Sequence, residues 1–224
     1  MNINFVRLGL IDYIKALEIQ EKLLSLRQKN LIDDVFLLVE HPPVITVGRS
    51  GSYSNIMLSQ DKLKSIGVGV YDVSRGGDVT YHGPGQIVGY MIMDLNNQGR
   101  DIHSFVGKIG EVFIRLLKEQ YNINSHMDRS KYTGVWIGEE KITAIGIAVK
   151  RWITMHGFSF NVNTDMENFK WIYPCGLKDR GVTSLKQMTG VAQDFEKLND
   201  YVLDYFCQVF DLEPVIRNID SLLL

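Results

Sequence analysis

The fold is decided by the stretch Gly134-Val135-Trp136-Ile137-Gly138-Glu139-Glu140-Lys141-Ile142-Thr143-Ala144-Ile145-Gly146-Ile147-Ala148-Val149 and its continuation over 152–162. Two apolar runs of strand length flank a tight turn at Glu139-Glu140, and a third strand follows, interrupted by Gly157. The stretch also carries chemistry. Lys141 stands at the head of an apolar strand, and downstream comes the turn Tyr173-Pro174-Cys175-Gly176. A lone lysine after a turn is ordinarily solvent-facing, and a random cysteine is ordinarily a small buried apolar residue. Here Pro174 and Gly176 leave the sulfur open to a substrate, and Ile142, Ala144 and Ile145 would desolvate the ammonium and suit it to proton transfer. A thiolate that attacks a carbonyl, with a cation nearby to favour it, is the core of covalent acyl transfer.

The alternation over 3–8 reads as a strand, and Ala16, Ile19, Leu23 and Leu26, widened by Tyr13, Leu17 and Leu24, read as a helix over 11–29. Val35-Phe36-Leu37-Leu38-Val39 is a continuous apolar run that belongs mid-sheet. His41-Pro42-Pro43 interrupts it, and Val44 to Gly48 resumes as strand. Residues 49–58 form a loop; a short helix over 60–66 has Ser59 as N-cap and Gly67 as stop, and a strand covers 68–74. Residues 75–86 read as a glycine-rich loop, 87–95 as a buried strand and 122–133 as irregular. Asp101 caps a helix to about 120 with Ile102, Phe105, Ile109, Val112, Phe113, Leu116 and Leu117 inward. After a mainly loop segment over 164–184, a last helix over 194–209 turns Phe195, Leu198, Val202, Tyr205, Phe206 and Val209 inward. The expected fold is α+β, a mixed sheet flanked by helices, in one domain over 1–224 with about 190–224 as a C-terminal helical segment.

The chain has 224 residues, 45% hydrophobic and 22% charged, and a net charge of -2. That balance excludes a strongly basic nucleic-acid field, and no run is long and apolar enough to span a bilayer. The first residues carry no basic segment followed by an apolar run, so a cytoplasmic location is expected. Both cysteines, Cys175 and Cys207, are expected as free thiols, Cys207 as core packing. No cysteine–histidine spacing suits zinc, so no metal is expected.

The loop Arg75-Gly76-Gly77-Asp78-Val79-Thr80-Tyr81-His82-Gly83-Pro84-Gly85-Gln86 holds four glycines in twelve residues, which lets backbone approach a ligand. It lacks the Gly-Lys-Ser/Thr ending of a P-loop. Its backbone can instead line an acyl slot, with room at glycines 76, 77, 83, 85, 146 and 157. His82 is open between a structural role, contact with an acyl group and proton carriage; His156 is similar, and His41 reads as structural. Arg49, Lys150, Arg151, Lys178 and Arg180 form either a local basic rim or a solvated surface.

Taken together, Glu40 to Gly48, Arg75 to Gln86, Lys141 to Gly146 and His156 to Gly176 resemble the lipoyl(octanoyl) transferases of lipoate biosynthesis. The resemblance spans most of residues 5–190. It implies a fold similar to lipoate ligase and biotin protein ligase catalytic domains. It also implies transfer of octanoyl from octanoyl-acyl carrier protein to a lysine of apo lipoyl domains, those of 2-oxoacid dehydrogenase subunits and of the glycine cleavage H protein. No cofactor, nucleic acid or membrane is expected to take part, and a monomer is expected. By the same resemblance Cys175 is the nucleophile that holds octanoyl as a thioester and Lys141 its partner. Arg75, Gly76, Gly77, Asp78, Val79, Thr80, Tyr81, His82, Ala144, Ile145, Gly146, Gly157, Phe158 and Ser159 line the substrate. Asp78 stands where the family commonly has Gln, and Lys131-Tyr132-Thr133-Gly134 where it has Ala-Pro-Gly. The alternatives are an ATP-dependent lipoate-protein ligase, an octanoyl amidotransferase and a catalytically silent lipoyl-domain binding module. Gly83-Pro84-Gly85 after His82 departs from the phosphate loop of the first.

Overall fold

Strand β1 (Asn2–Leu10) leads into helix α1 (Tyr13–Gln28), followed by β2 (Val35–Glu40) and β3 (Val44–Val47). The computed structural model describes residues 1–130, 132–173 and 180–223. A short helix α2 (Gln60–Ser65) and strands β4 (Gly69–Asp72), β5 (Val79–His82) and β6 (Gln86–Ile92) come next, then the long helix α3 (Ile102–Tyr121). Strands β7 (His126–Asp128), β8 (Gly134–Ile137), β9 (Glu140–Lys150), β10 (Ile153–Asn161) and β11 (Gly181–Val182) follow. Helices α4 (Leu185–Thr189) and α5 (Phe195–Phe210) and strand β12 (Glu213–Ile216) complete the order.

Among the described residues the main sheet runs β12-β1-β2-β6-β10-β9-β8-β7, with β11 added beside β9; β3, β4 and β5 make a small second sheet. The β12, β1 and β2 strands are parallel, and from β2 to β7 each neighbour is antiparallel. The apolar run of β2 lies inside this sheet and is buried on both faces. Phe36 and Leu38 join the core beneath α3 and α5, while Val35, Leu37 and Val39 join the core beneath α1. The expected α+β architecture is therefore present, with helices on both faces of a mixed sheet.

Besides β7, which lies in a segment read as irregular, three details depart from the sequence reading, each for a physical reason. The inward face of α1 carries Gln20 and Arg27. Arg27 is stabilised there by Asp34 at 2.8 Å and Asp94 at 3.5 Å, and Gln20 Oε1 accepts the His156 N–H at 2.9 Å. The glycine-rich loop contains β5, which pairs antiparallel with β3. The C-terminal segment is not only helical, because β12 pairs with β1 at the sheet edge, where Pro214 is tolerated.

Candidate active site

The β9–β10 hairpin forms one wall of a cavity of about 540 Å³, within the range of small-molecule sites. From β9 come Lys141, Ala144, Ile145, Gly146 and Ile147, and from β10 come His156, Gly157, Phe158, Ser159 and Asn161. The facing wall is Arg75, Gly76, Gly77, Asp78, Val79, Thr80 and His82. Close backbone contact explains the glycines. The Gly76 N–H donates to Ile147 O at 2.9 Å, and a Cβ at Gly146 would stand 2.9 Å from Gly76 O. The facing loop is held firmly. Arg75 donates to Thr46 O and Oγ1, both at 2.8 Å, and the Asp78 carboxylate accepts from the Ser52 N–H and from Asn55 Nδ2.

Of the expected lining residues, Tyr81 lies elsewhere. Its ring packs edge-on against Phe169 and Trp171 in the small sheet's core, and its hydroxyl accepts from Asn168. This follows from strand alternation: Thr80 and His82 face the cavity and Tyr81 faces away. Gly83 and Gly85 also do other work. A Cβ at Gly83 would meet the Tyr81 hydroxyl, and one at Gly85 the backbone of Asn163, so they serve local packing and not cavity room.

Tyr13, Tyr90, Ile102, His103, Val106, Arg129, Thr133, Phe169 and Val182, which no motif marks as site residues, also line the cavity. Tyr90 offered a signal. A tyrosine in a strand buried on both faces needs a partner for its hydroxyl, and Tyr90 donates to His41 Nε2 at 2.7 Å.

One part of the cavity wall is polar yet uncharged apart from Arg75. His82 Nδ1 donates to Gln86 Oε1 at 2.7 Å; Gln86 Nε2 is committed to Asn161 Oδ1 and Tyr81 O, which fixes the amide's orientation. Burial, with His41 and Arg75 nearby, pushes the His82 imidazole down to about 3. Burial and Arg75 push His156 down to about 4, and its Nε2 lies 3.0 Å from Ser74 Oγ. Burial raises Tyr13 to about 12 and Tyr90 well above the ordinary phenol. At neutral pH these groups are neutral hydrogen-bonding groups. His41 is fully buried between Ile11 O and the Tyr90 hydroxyl, in keeping with a structural part.

Lys141 enters the cavity through a β-bulge. Val135 pairs with Thr143 and Trp136 with Lys141, so Ile142 is the extra residue. The bulge re-aims the strand: Ile142 goes into the core beneath α3, and Lys141 lines the cavity with only 5% of its surface exposed. Gly134 gives the stem its path, since a Cβ there would lie 3.2 Å from Lys141 Cδ. Cys175 falls outside the described residues, within 174–179. Beyond that segment β11 returns to β9 and pairs Val182 with Lys141, while before it the Tyr173 N–H donates to Asn55 O at 2.7 Å. Arg180, read as part of either a basic rim or a solvated surface, is taken up by Asp128 at 2.9 Å and Glu139 at 2.7 Å. The second cysteine, Cys207, is buried on α5, and burial raises its thiol to about 11. Among the described residues no cluster of three His, Cys, Asp or Glu is placed to hold a metal ion. No helix among them is long and apolar enough to cross a membrane.

Comparison with known proteins agrees with this geometry. The family model for the lipoyl protein ligase A/B catalytic domain matches residues 12–207. An octanoyltransferase of Caldicellulosiruptor saccharolyticus is 54% identical over 227 residues, covering 97% of each chain. Among solved structures, a bi-partite lipoate protein ligase from Thermoplasma acidophilum superposes with a TM-score of 0.74 at 13% identity, covering 100% of this chain and 91% of that one. Biotin protein ligase from Aquifex aeolicus gives 0.55 at 16%, covering 94% and 70%. The distant structures speak to the fold alone. The family match and the near-full-length identity go further: the chain belongs to the octanoyltransferases of the lipoyl protein ligase A/B catalytic-domain family.

Proposed function

We propose that this octanoyltransferase takes octanoyl from octanoyl-acyl carrier protein and carries it as a thioester on Cys175. It then passes the acyl group to a lysine of an apo lipoyl domain, with Lys141 moving the protons. The Cys175 thiolate attacks the donor thioester; the C–S bond to the phosphopantetheine sulfur breaks, and protonated Lys141 gives that sulfur its proton. The lipoyl-domain lysine then attacks the acyl-enzyme, neutral Lys141 takes the amine's proton, and the thiolate is released as the amide forms. The amide is more stable than the thioester, so the second step is downhill and needs no ATP. Substrate binding falls to Arg75, Gly76, Gly77, Asp78, Val79, Thr80, His82, Ala144, Ile145, Gly146, Gly157, Phe158 and Ser159. Tyr81 supports the strand that carries three of them, Val79, Thr80 and His82.

The observation that carries this reading is a lysine turned by a β-bulge into a largely apolar cavity and almost wholly withdrawn from solvent. A medium-length acyl chain suits such a slot: burying about six methylenes at about 0.8 kcal/mol each contributes roughly 5 kcal/mol. The test is intact-protein mass after mixing with octanoyl-acyl carrier protein, without ATP. One octanoyl adduct is expected on the native protein, labile to hydroxylamine and removed by an apo lipoyl domain, and none that is hydroxylamine-labile on Cys175→Ser. Octanoylation only when free octanoate and ATP are supplied would move the chain to the ligase reaction. Lys141→Ala should fold and lose about 10²–10⁴ in transfer rate, the usual worth of a general acid–base.

A further inference from the structure

The holder of Lys141 is itself an unassigned part of the site. The bulge sets Trp136 directly across from Lys141 in the β8–β9 ladder, and the ammonium lies 5.0 Å from the centre of the indole ring. The ring is fully buried, and its Nε1–H donates to Tyr132 O at 3.3 Å. A second cation, the Arg180 guanidinium, sits 4.7 Å from the same ring. Two carboxylates from different elements, Asp128 of β7 and Glu139 of the β8–β9 turn, fix that guanidinium in place. Directly after Arg180, β11 pairs with β9 at Lys141 itself. Two separate pieces of chain therefore converge on one lysine: β8 brings the indole, and residues 180–182 bring the clamped arginine against that indole and the β11 ladder.

We propose that Trp136 is the positioning residue for Lys141, with Arg180, clamped by Asp128 and Glu139, holding the indole in place. An aromatic face attracts a cation through its quadrupole and brings no proton acceptor of its own. It fixes where the ammonium sits and leaves proton transfer to the substrates. The positive charge of Arg180 is more than offset by its two carboxylates, so it does not repel the ammonium across the shared ring, and its planar fork suits both the carboxylates and the ring. The inference rests on the reading of Lys141 as the proton carrier.

The test is a double-mutant cycle read as octanoyl transfer to an apo lipoyl domain, with thermal midpoints to verify folding. Trp136→Leu is expected to lower kcat about tenfold or more and leave KM for both substrates unchanged, and Trp136→Phe to stay within about threefold of the native rate. In a Lys141→Ala background Trp136→Leu should cause no further loss, because the residue it positions is gone. Should Trp136→Leu fail to fold, Arg180→Gln takes its place in the same cycle with the same expectation. An unchanged kcat in these variants overturns the proposal. So does an equal loss with and without Lys141, the signature of a merely structural indole. A native rate in Lys141→Ala alone overturns the proton-carrier reading and this inference with it. Loss in Lys141→Ala with an additive cycle overturns only this inference.

Discussion

His156 is held at φ 60°, in the left-handed region, in the middle of a buried strand. Its N–H is taken by Gln20, its imidazole meets Ser74, and the ring is kept neutral inside the fold. With His82 it makes stability depend on pH in a definite direction. The folded-state values, about 4 and about 3, lie below the ordinary histidine value of about 6.5. Below about 6.5 the unfolded chain binds protons that the native chain refuses, so stability is complete above that pH and falls as pH drops toward 4. Each such histidine contributes a slope of about 1.4 kcal/mol per pH unit in that window. His156→Asn, which tolerates the left-handed backbone, should fold and flatten the slope by about one proton; urea titrations from pH 7 to pH 4.5 read it directly. Gly157 is constrained differently: a Cβ there would stand 2.2 Å from Gly89 O, a backbone atom. Gly157→Ala should therefore cost about 1–3 kcal/mol by overpacking, measured by denaturant unfolding. The residue types of the site were legible in the chain, because a lysine among apolar residues and a cluster of glycines are local facts. The partners were not. Gln20 lies 136 residues from the N–H it accepts, and only the tertiary fold joins them.

Among the elements, the long periodic helix α3 and the capped short helix α2 were legible, and short elements without a cap or an alternation were not. The inward face of α3 follows its apolar spacing, from Phe105 to Leu117, with Ile102 left at the cavity. Its N-cap is Asp101, as the sequence indicates. By contrast β5 is four residues long inside a glycine-rich stretch, and at the bulge Lys141, Ile142 and Thr143 are all buried, so no alternation exists there to be broken. Helix α5 is bound to the sheet through aromatic stacking: Phe206 is fully buried, 4.1 Å from the Phe36 ring and 4.5 Å from the Phe210 ring. Phe206→Ala should cost about 3–5 kcal/mol and shift the denaturation midpoint without changing its slope. Activity at low temperature should persist, since α5 contributes nothing to the cavity lining.

Over the whole molecule, the sheet joins the beginning of the chain to its end. Asn2 to Phe5 pair with Glu213 to Ile216, and Arg217 N–H closes the join on Phe5 O. Truncation after Asp211 would strip that strand and leave β1 as an open parallel edge. A lower thermal midpoint and concentration-dependent association by light scattering are expected. The buried state of Cys207 has a practical corollary. With its thiol buried on α5 and raised to about 11, it should be silent toward thiol reagents in the native fold at neutral pH. The chain has two cysteines, so native-state alkylation counts the other one alone. A single stoichiometric label, and its disappearance after octanoyl loading, would give the fraction of competent molecules in any preparation from the protein's own composition.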